Sequence, residues 1–192
     1  MDSLALPHIG RPPRRVPREG DLLVAAPSLR DPHFRRAIVY VLRNDDEGAA
    51  GVIVNRRYLG SLVGVGLPDW VVDTAIVHEG GPVATDSVLA LADCDAAPEA
   101  VKRDSGPGVC VVDLDGLEGV APFHPLQLFV GYAGWSAGQL DGELARDDWL
   151  VVRADPYDVL GTDPERVWAK VMRRQRDLTR LWATLPNTVG AN

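Results

Sequence analysis

The motif at positions 134–138 places Ser136 in the pattern G-x-S-x-G, the sharp turn that carries the nucleophilic serine of α/β-hydrolases. An apolar run at 126–130 leads into the motif as a predicted strand, as these enzymes require. Their catalytic histidine follows the serine in the chain, whereas all four histidines of this sequence precede it: His8, His33, His78 and His124. A serine hydrolase using Ser136 therefore stays open only with a different order of the triad residues.

Ser136 and Gln139 also have the spacing of a capping box at the start of a helix. In that arrangement the serine oxygen accepts a hydrogen bond from the Gln139 amide, and the glutamine side chain returns to the serine amide. Such a cap contributes about 1 kcal/mol to helix stability, and Leu140 and Leu144 recur four residues apart behind it. The spacing favours a structural serine, so the sequence predicts no catalytic residue.

A glycine-rich turn follows His78 and Glu79 at the end of a predicted strand. Neighbouring strand residues point to opposite faces, which argues against an acid–base pair of these two side chains. Gly80 and Gly81 suit a positive φ or a close approach of two backbones. The exposed amides of such a turn also bind anions. The residues favour a structural turn and leave an anion site as the alternative.

Asn55 and Arg56 end a β-branched apolar run. An arginine at a strand end forms paired hydrogen bonds with a carboxylate or a phosphate. Because the chain has 27 acidic residues, an internal ion pair is the favoured interpretation. The sequence contains no phosphate-binding loop, no dinucleotide-binding glycine pattern and no H-E-x-x-H motif, and Cys94 and Cys110 lack metal-site spacing. We therefore predict neither a cofactor nor a metal.

The charge distribution argues against a nucleic-acid or membrane partner. The formal net charge is −7; residues 1–19 contain four arginines and two acids, a net of +2, so the remaining 173 residues carry −9. A basic face between 166 and 180 is the other candidate DNA surface, although a solvated helix face is the favoured interpretation. The absence of a signal sequence and of a membrane-length apolar segment predicts a cytoplasmic protein.

The order of the predicted elements indicates one α+β domain. Residues 1–19 form a proline- and arginine-rich tail, which we expect to be flexible because proline removes backbone donors and arginine stays solvated. Residues 20–192 form the domain, which begins with short strands and includes a hairpin around the polar loop 44–48. A capping residue, a proline and an acid at 162–165 predict a long amphipathic helix that ends at Pro186.

Five motifs, in this order, resemble the bacterial YqgE/AlgH family. They are LLVAAPS at 22–28 followed by Asp31, Pro32 and Phe34; GVIVNR at 51–56; GGPV at 80–83; GYAGW at 131–135 followed by GQL at 138–140; and WL at 149–150. The resemblance covers the chain from residue 20 to its end. The family commonly has proline where this chain has Arg57, which alters the turn after Arg56.

The resemblance implies a compact domain whose mostly antiparallel sheet curls into a partial barrel with flanking helices. It brings no established reaction or catalytic residue. One branch of the family is named as a regulator of alginate production, which suggests a transcriptional regulator. The residues that match best would line one ligand-binding patch if their strand ends converge: Ser28, Asn55, Arg56, Gly80, Gly81, Pro82, Trp135 and Gln139.

We therefore expect a non-enzymatic regulatory or binding protein. Its partner is a small anionic or nucleotide-like ligand, or another protein, held at this patch. The alternatives are a DNA-binding transcriptional regulator, suggested by the family name and opposed by the charge, and a serine hydrolase using Ser136.

Overall fold

The computed structural model describes residues 15–62, 65–175 and 178–184, which form nine strands, four α-helices and three 3₁₀ helices. The strands are β1 (Asp21–Ala25), β2 (Ile38–Asp45), β3 (Gly48–Ile53), β4 (Ile76–Glu79), β5 (Val83–Asp93), β6 (Lys102–Gly106), β7 (Val109–Val112), β8 (Leu126–Ser136) and β9 (Trp149–Arg153). The α-helices are α1 (Asp69–Thr74), α2 (Gln139–Ala145), α3 (Pro156–Val159) and α4 (Pro164–Arg173). The 3₁₀ helices are Glu99–Val101, Asp115–Leu117 and Leu178–Thr184.

The described strands pair in the order β6-β7-β5-β8-β3-β2-β1-β9. Every neighbouring pair along this path is antiparallel. β4 lies off the path and pairs in parallel with β8. The sheet curls into a half-barrel within one compact domain, which confirms the predicted α+β class and the partial barrel.

The alternating side chains of β1 build two separate hydrophobic cores. Leu22 and Val24 belong to a cluster that α3 and α4 cover, and Leu23 and Ala25 belong to a cluster on the other face, under α2. All four side chains are fully buried or nearly so. A third cluster packs under α1 around Val71. The sheet is therefore covered on both faces, which fixes the ends of its strands relative to the helices.

One side of β8 is shared by two other strands. β4 pairs with residues 127–130 of β8, and β3 pairs with residues 133–136. At the change of partner, Gly80, Gly81 and Gly131 meet backbone to backbone. A Cβ added at Gly131, where φ is +68°, would lie 2.5 Å from the Gly81 carbonyl oxygen, and one added at Gly80 would lie 2.2 Å from the Gly131 carbonyl oxygen. Glycine is required for this approach, as the structural interpretation of the turn predicts.

The predicted hairpin is present, with a turn shorter than the predicted loop. β2 and β3 pair from Val39 and Ile53 to Asp45 and Gly48, which leaves two residues between the strands. The strand β6 carries no local strand signal in the sequence. Its sequence KRDSG has no alternating apolar residues, since it lies at one end of the strand order.

The predicted helix from 162 to Pro186 is wrong in its length. It begins as expected, with Asp163 as the N-cap residue, but α4 ends at Arg173. The Gln175 amide donates to the Met172 carbonyl at 3.0 Å, and the Gln175 side chain donates to the Val171 carbonyl at 2.8 Å. The side chain thus takes the acceptor that the next α-helical amide would need, and the chain continues into the 3₁₀ helix Leu178–Thr184 after two residues outside the described ranges.

Residues 1–14 of the predicted tail lie outside the described residues. The described part of the tail contacts the sheet. Arg15 donates to the Asp21 carboxylate at 2.7 Å, and the Asn44 side chain donates to the carbonyl of the buried Pro17 at 2.8 Å. Among the described helices, none is both long and apolar enough to cross a membrane.

Candidate functional site

A groove of about 470 Å³ lies between β9, α2 and the 3₁₀ helix Leu178–Thr184. Residues that follow β1 and the start of the described chain complete its walls. Apolar side chains form most of the surface, and Ser28 is the one predicted site residue among the lining residues, which are Arg15, Val16, Ala26, Pro27, Ser28, Asp141, Leu144, Ala145, Arg146, Asp147, Trp149, Leu150, Val151, Thr179 and Trp182.

An aromatic cluster behind the groove positions its Trp149 wall. The ring of Phe34 stacks on Trp135 with centroids 5.9 Å apart, and its edge contacts Trp149 at 5.5 Å. Both indole nitrogens donate to the same oxygen, Glu143 Oε2, at 2.8 Å for Trp135 and 2.7 Å for Trp149. Because both tryptophans are almost fully buried, this one carboxylate satisfies two donors that would otherwise have no partner.

Gln139 extends the same network to the end of β8. Its Nε2 donates to Glu143 Oε1 at 3.1 Å, and its Oε1 accepts from the amide and the hydroxyl of Ser136 at 3.1 and 3.2 Å. The predicted return of the glutamine to the serine amide is therefore present. The predicted serine cap is wrong, because the N-cap residue is Gly138, whose φ of +71° turns the chain from β8 into α2.

The side chains that could act as a nucleophile or as its base have other partners. The Ser136 hydroxyl donates to Gln139, whereas His78 is hydrogen-bonded to Gln127 and His124 packs edge-on against Trp70. Burial raises the pKa of the Cys110 thiol to about 11, so this thiol stays protonated at neutral pH. Within the described ranges, no three His, Cys, Asp or Glu side chains form a cluster suited to a metal.

Asn55 fixes the loop 26–37, which joins β1 to β2 and carries both Ser28 and Phe34. The Asn55 side chain accepts from the Ile38 amide at 2.7 Å and donates to the Arg36 carbonyl at 2.8 Å. Both ends of the amide are therefore used by the backbone of one segment, so Asn55 positions the loop next to the groove.

Arg56 holds the same loop from the neighbouring position. Its Nη2 donates to the Arg35 carbonyl at 3.1 Å. Burial lowers the pKa of the Arg56 guanidinium, and the negative charge of Glu79 opposes this shift. The favoured ion pair is wrong for the described residues: the Arg56 guanidinium bonds a backbone carbonyl, and Glu79 acts on it only through its charge.

The backbone N–H and C=O groups of Gly80 form hydrogen bonds within the sheet. Its amide donates to the Val130 carbonyl at 2.8 Å, and its carbonyl accepts from the Ile53 amide at 2.8 Å. Both Gly80 and Gly81 are buried. The turn therefore lets two stretches of backbone approach closely, and the Gly80 amide is not available to an anion from solvent.

The predicted site residues fall into groups that one loop connects. Trp135 lies opposite Ala49 at the start of β3, whereas Asn55 follows the other end of that strand, about 20 Å away along the backbone. The loop 26–37 contacts both groups through Phe34 and the carbonyls described above. The sequence analysis missed Glu143, although its spacing of four residues from Gln139 on a predicted helix was an available signal.

A model of the AlgH-like family matches residues 22–179 of this sequence. The chain belongs to the AlgH-like family. Among AlgH-like relatives, a UPF0301 protein of Streptomyces coelicolor is 41% identical over 186 residues, covering 90% of this chain and 94% of the relative. A UPF0301 protein of Streptomyces avermitilis is 39% identical over 183 residues, with the same two coverages, 90% and 94%.

Two solved structures have a similar fold. The crystal structure of protein DIP2367 from Corynebacterium diphtheriae gives a TM-score of 0.77 at 30% identity, covering 90% of this chain and 94% of that one. The solution structure of the AlgH protein from Pseudomonas aeruginosa gives a TM-score of 0.66 at 27% identity, covering 88% and 95%. The AlgH-like half-barrel is therefore shared across both comparisons.

Part of the basic face predicted between 166 and 180 in this AlgH-like chain is paired with acids. Arg174 donates to the carboxylate of the buried Asp158 at 2.8 Å, and Lys170 lies 3.4 Å from the same carboxylate. Arg166 pairs with Asp163 at 3.1 Å. These pairs leave less positive charge for phosphate groups than the sequence pattern indicates.

His78 is fully buried between Phe129, on which its ring stacks at 4.8 Å, and Gln127, whose Oε1 lies 3.0 Å from Nε2. Its Nδ1 has no hydrogen-bond partner in the part of the chain that the structure describes. Burial lowers the pKa of His78, and the hydrogen bond to Gln127 opposes that shift. The folded protein therefore favours the neutral imidazole.

His78→Gln should reduce the acid sensitivity of the fold. The unfolded chain takes up a proton near pH 6.5, whereas the folded His78 has a lower pKa. The stability from neutral His78 is thus fully present above pH ~6.5 and is lost as the pH falls toward the folded-state pKa. One such group contributes a slope of at most about 1.4 kcal/mol per pH unit. Urea unfolding from about pH 7.5 to about pH 5 should give a smaller slope in the variant, and an unchanged slope would contradict the prediction.

Proposed function

We propose that this AlgH-like protein is a non-catalytic binding protein with a regulatory role, and that its groove holds part of a protein partner. The observation that carries the proposal is the groove of about 470 Å³, with Leu144, Trp149 and Trp182 among its apolar walls. Concave surfaces that combine apolar walls with a few polar groups are the usual sites of small ligands, and apolar grooves also hold peptide segments of partner proteins.

The charges around the groove favour a protein over an anionic ligand. Arg15 is already paired with Asp21 at 2.7 Å, and Arg146 with Asp148 at 3.1 Å. The exposed carboxylate of Asp141 adds negative charge to the lining. A phosphate in the groove would compete with existing ion pairs and approach like charges, which costs free energy.

Seven of the eight predicted patch residues, all but Pro82, have distinct roles in this proposal. Ser28 contacts the partner directly. Trp135 and Gln139 fix the Trp149 wall through Glu143, and Asn55 and Arg56 fix the loop that carries Ser28. Gly80 and Gly81 allow the close approach of their backbone to β8 at Gly131. Support comes from the hydrogen bonds of Glu143 and of the loop carbonyls.

Ala145→Arg should abolish partner binding without unfolding the protein. Ala145 is exposed on α2 and lines the groove, so a long side chain there occupies the space of a partner. A cation also suits the carboxyl end of a helix. The matched control is Ala137→Arg, an exposed alanine before α2 that does not line the groove.

The measurement is affinity capture from an extract of the source organism with the immobilised full chain, quantified by mass spectrometry. Proteins retained by wild type and by Ala137→Arg should be lost with Ala145→Arg. Identical captured sets for all three proteins would count against the groove. A nucleotide or phosphorylated metabolite that raises the unfolding midpoint of wild type but not of Arg56→Ala would favour the anionic-ligand hypothesis instead.

A further inference from the structure

The strand β9 has an unpaired edge. Among the described strands it stands at one end of the order and pairs with β1 alone. The Ala26 amide donates to the Asp148 carbonyl at 2.9 Å, and the backbone groups of an antiparallel strand alternate in direction. The residues whose amides and carbonyls face β1 are therefore Asp148, Leu150 and Val152, and those facing away are Trp149, Val151 and Arg153.

The groove follows this edge. Leu150 packs with the cluster under α3 and α4, whereas Trp149 and Val151 pack with the cluster under α2, and all three line the groove. Because side chains from both faces of β9 line the groove, the groove lies along the edge of this strand. The outward N–H and C=O groups of β9 point toward that edge. Across the described ranges, the outward groups of Trp149 and Val151 have no backbone partner.

The other end of the sheet is protected, whereas β9 is not. β6 has the sequence KRDSG, and charged residues on an edge strand discourage pairing with another chain. β9 has the sequence WLVVR, which is apolar and β-branched along the groove. An edge of this composition is a template for an added strand.

We propose that the partner enters the groove as an extended peptide segment that adds to the free edge of β9 as a further strand. This inference rests on the proposed function. Backbone hydrogen bonds to Trp149 and Val151 hold the segment, and its alternate side chains contact Leu144 on one side and Trp182 on the other.

The charge of the lining specifies the segment further. Asp141 is exposed at the start of α2, and Asp147 lies at its other end, so carboxylates border the groove at both ends of the helix. The domain as a whole is acidic, with a net charge of −9 for residues 20–192. A segment with apolar residues at alternate positions and a lysine or arginine between them matches this surface.

Peptide selection tests the proposal directly. A phage-displayed library of random peptides is selected on the immobilised full chain, and the enriched peptides are synthesised with a fluorophore for anisotropy measurements. We expect alternating apolar residues with an interspersed lysine or arginine. Val151→Pro, which removes an outward amide, should weaken binding at least tenfold, whereas Arg153→Pro, on the same edge but outside the groove lining, should retain it within about threefold.

Methylation of the peptide's own amides provides a readout that is independent of the protein fold. A methyl group at every second amide should weaken binding, and one at the intervening amides should not, because only alternate amides of an added strand face β9. Peptides that Ala145→Arg blocks but that show no period of two would overturn strand addition and leave the groove as a binding site. A dimer of wild type that Val151→Pro dissociates would assign the edge to a second copy, which also overturns the proposal.

Discussion

Gly131→Ala should destabilise the protein by about 4 kcal/mol or more, a loss that single substitutions rarely reach. The added Cβ would lie 2.5 Å from the Gly81 carbonyl oxygen and 2.8 Å from that of Val83. Gly81 lies in the short link between β4 and β5, and Val83 begins β5, so neither oxygen moves aside without shifting a paired strand. The φ of +68° adds about 1–2 kcal/mol for any residue with a Cβ. Urea unfolding followed by circular dichroism measures the loss.

Gly138→Ala is the matched control for this prediction. Its φ of +71° is nearly the same, but no atom lies within 4 Å of the added Cβ. It should therefore cost only the conformational term, about 1–2 kcal/mol. The difference between the two variants isolates the contact of the two backbones. Equal losses for both would show that the close approach of the Gly81 backbone to Gly131 tolerates a side chain.

Glu143→Ala should cost about 3 kcal/mol of unfolding free energy. The substitution leaves the indole N–H groups of Trp135 and Trp149 buried without their acceptor, and each unsatisfied buried group costs about 1–3 kcal/mol. The tryptophan emission should also shift to longer wavelength as water reaches the rings. Chemical unfolding and fluorescence spectra on the same samples test both expectations.

Glu143→Gln provides the graded control. It keeps an oxygen for the two indoles but turns an amide group toward the Gln139 Nε2, so two donors face each other. We expect a loss of about 1–2 kcal/mol, between wild type and Glu143→Ala. If both variants unfold within about 0.5 kcal/mol of wild type, the carboxylate does not hold the tryptophan wall.

The sequence predicted most of the fold because strand alternation and turn residues are local signals. The hairpin of β2 and β3 and the start of α4 at Asp163 both follow from such signals. The end of α4 did not, because it depends on the Gln175 side chain taking the Val171 carbonyl. β6 was missed because an edge strand needs no apolar face to pair with β7.

The candidate site was less accessible to sequence reasoning. The sequence motif includes Trp135 and Gln139 but not Glu143, which accepts hydrogen bonds from both indoles. In the sequence Glu143 does not differ from any other charged residue on a helix. The groove itself depends on which strand lies at the end of the sheet, and β9 obtains that position through pairing with β1. Long-range pairing of this kind leaves no local pattern in the residues.

The pairing of the first strand with the last has a consequence for how the chain folds. Asp21 lies opposite Arg153, 132 residues further along, so forming this pair closes a large loop of chain at a cost in conformational entropy. Topologies dominated by such distant contacts fold slowly. During synthesis β1 has to wait for β9, and the groove, which also needs Trp182, forms only after that residue has been made. A nascent chain that ends before Trp182 should therefore be unable to engage a partner.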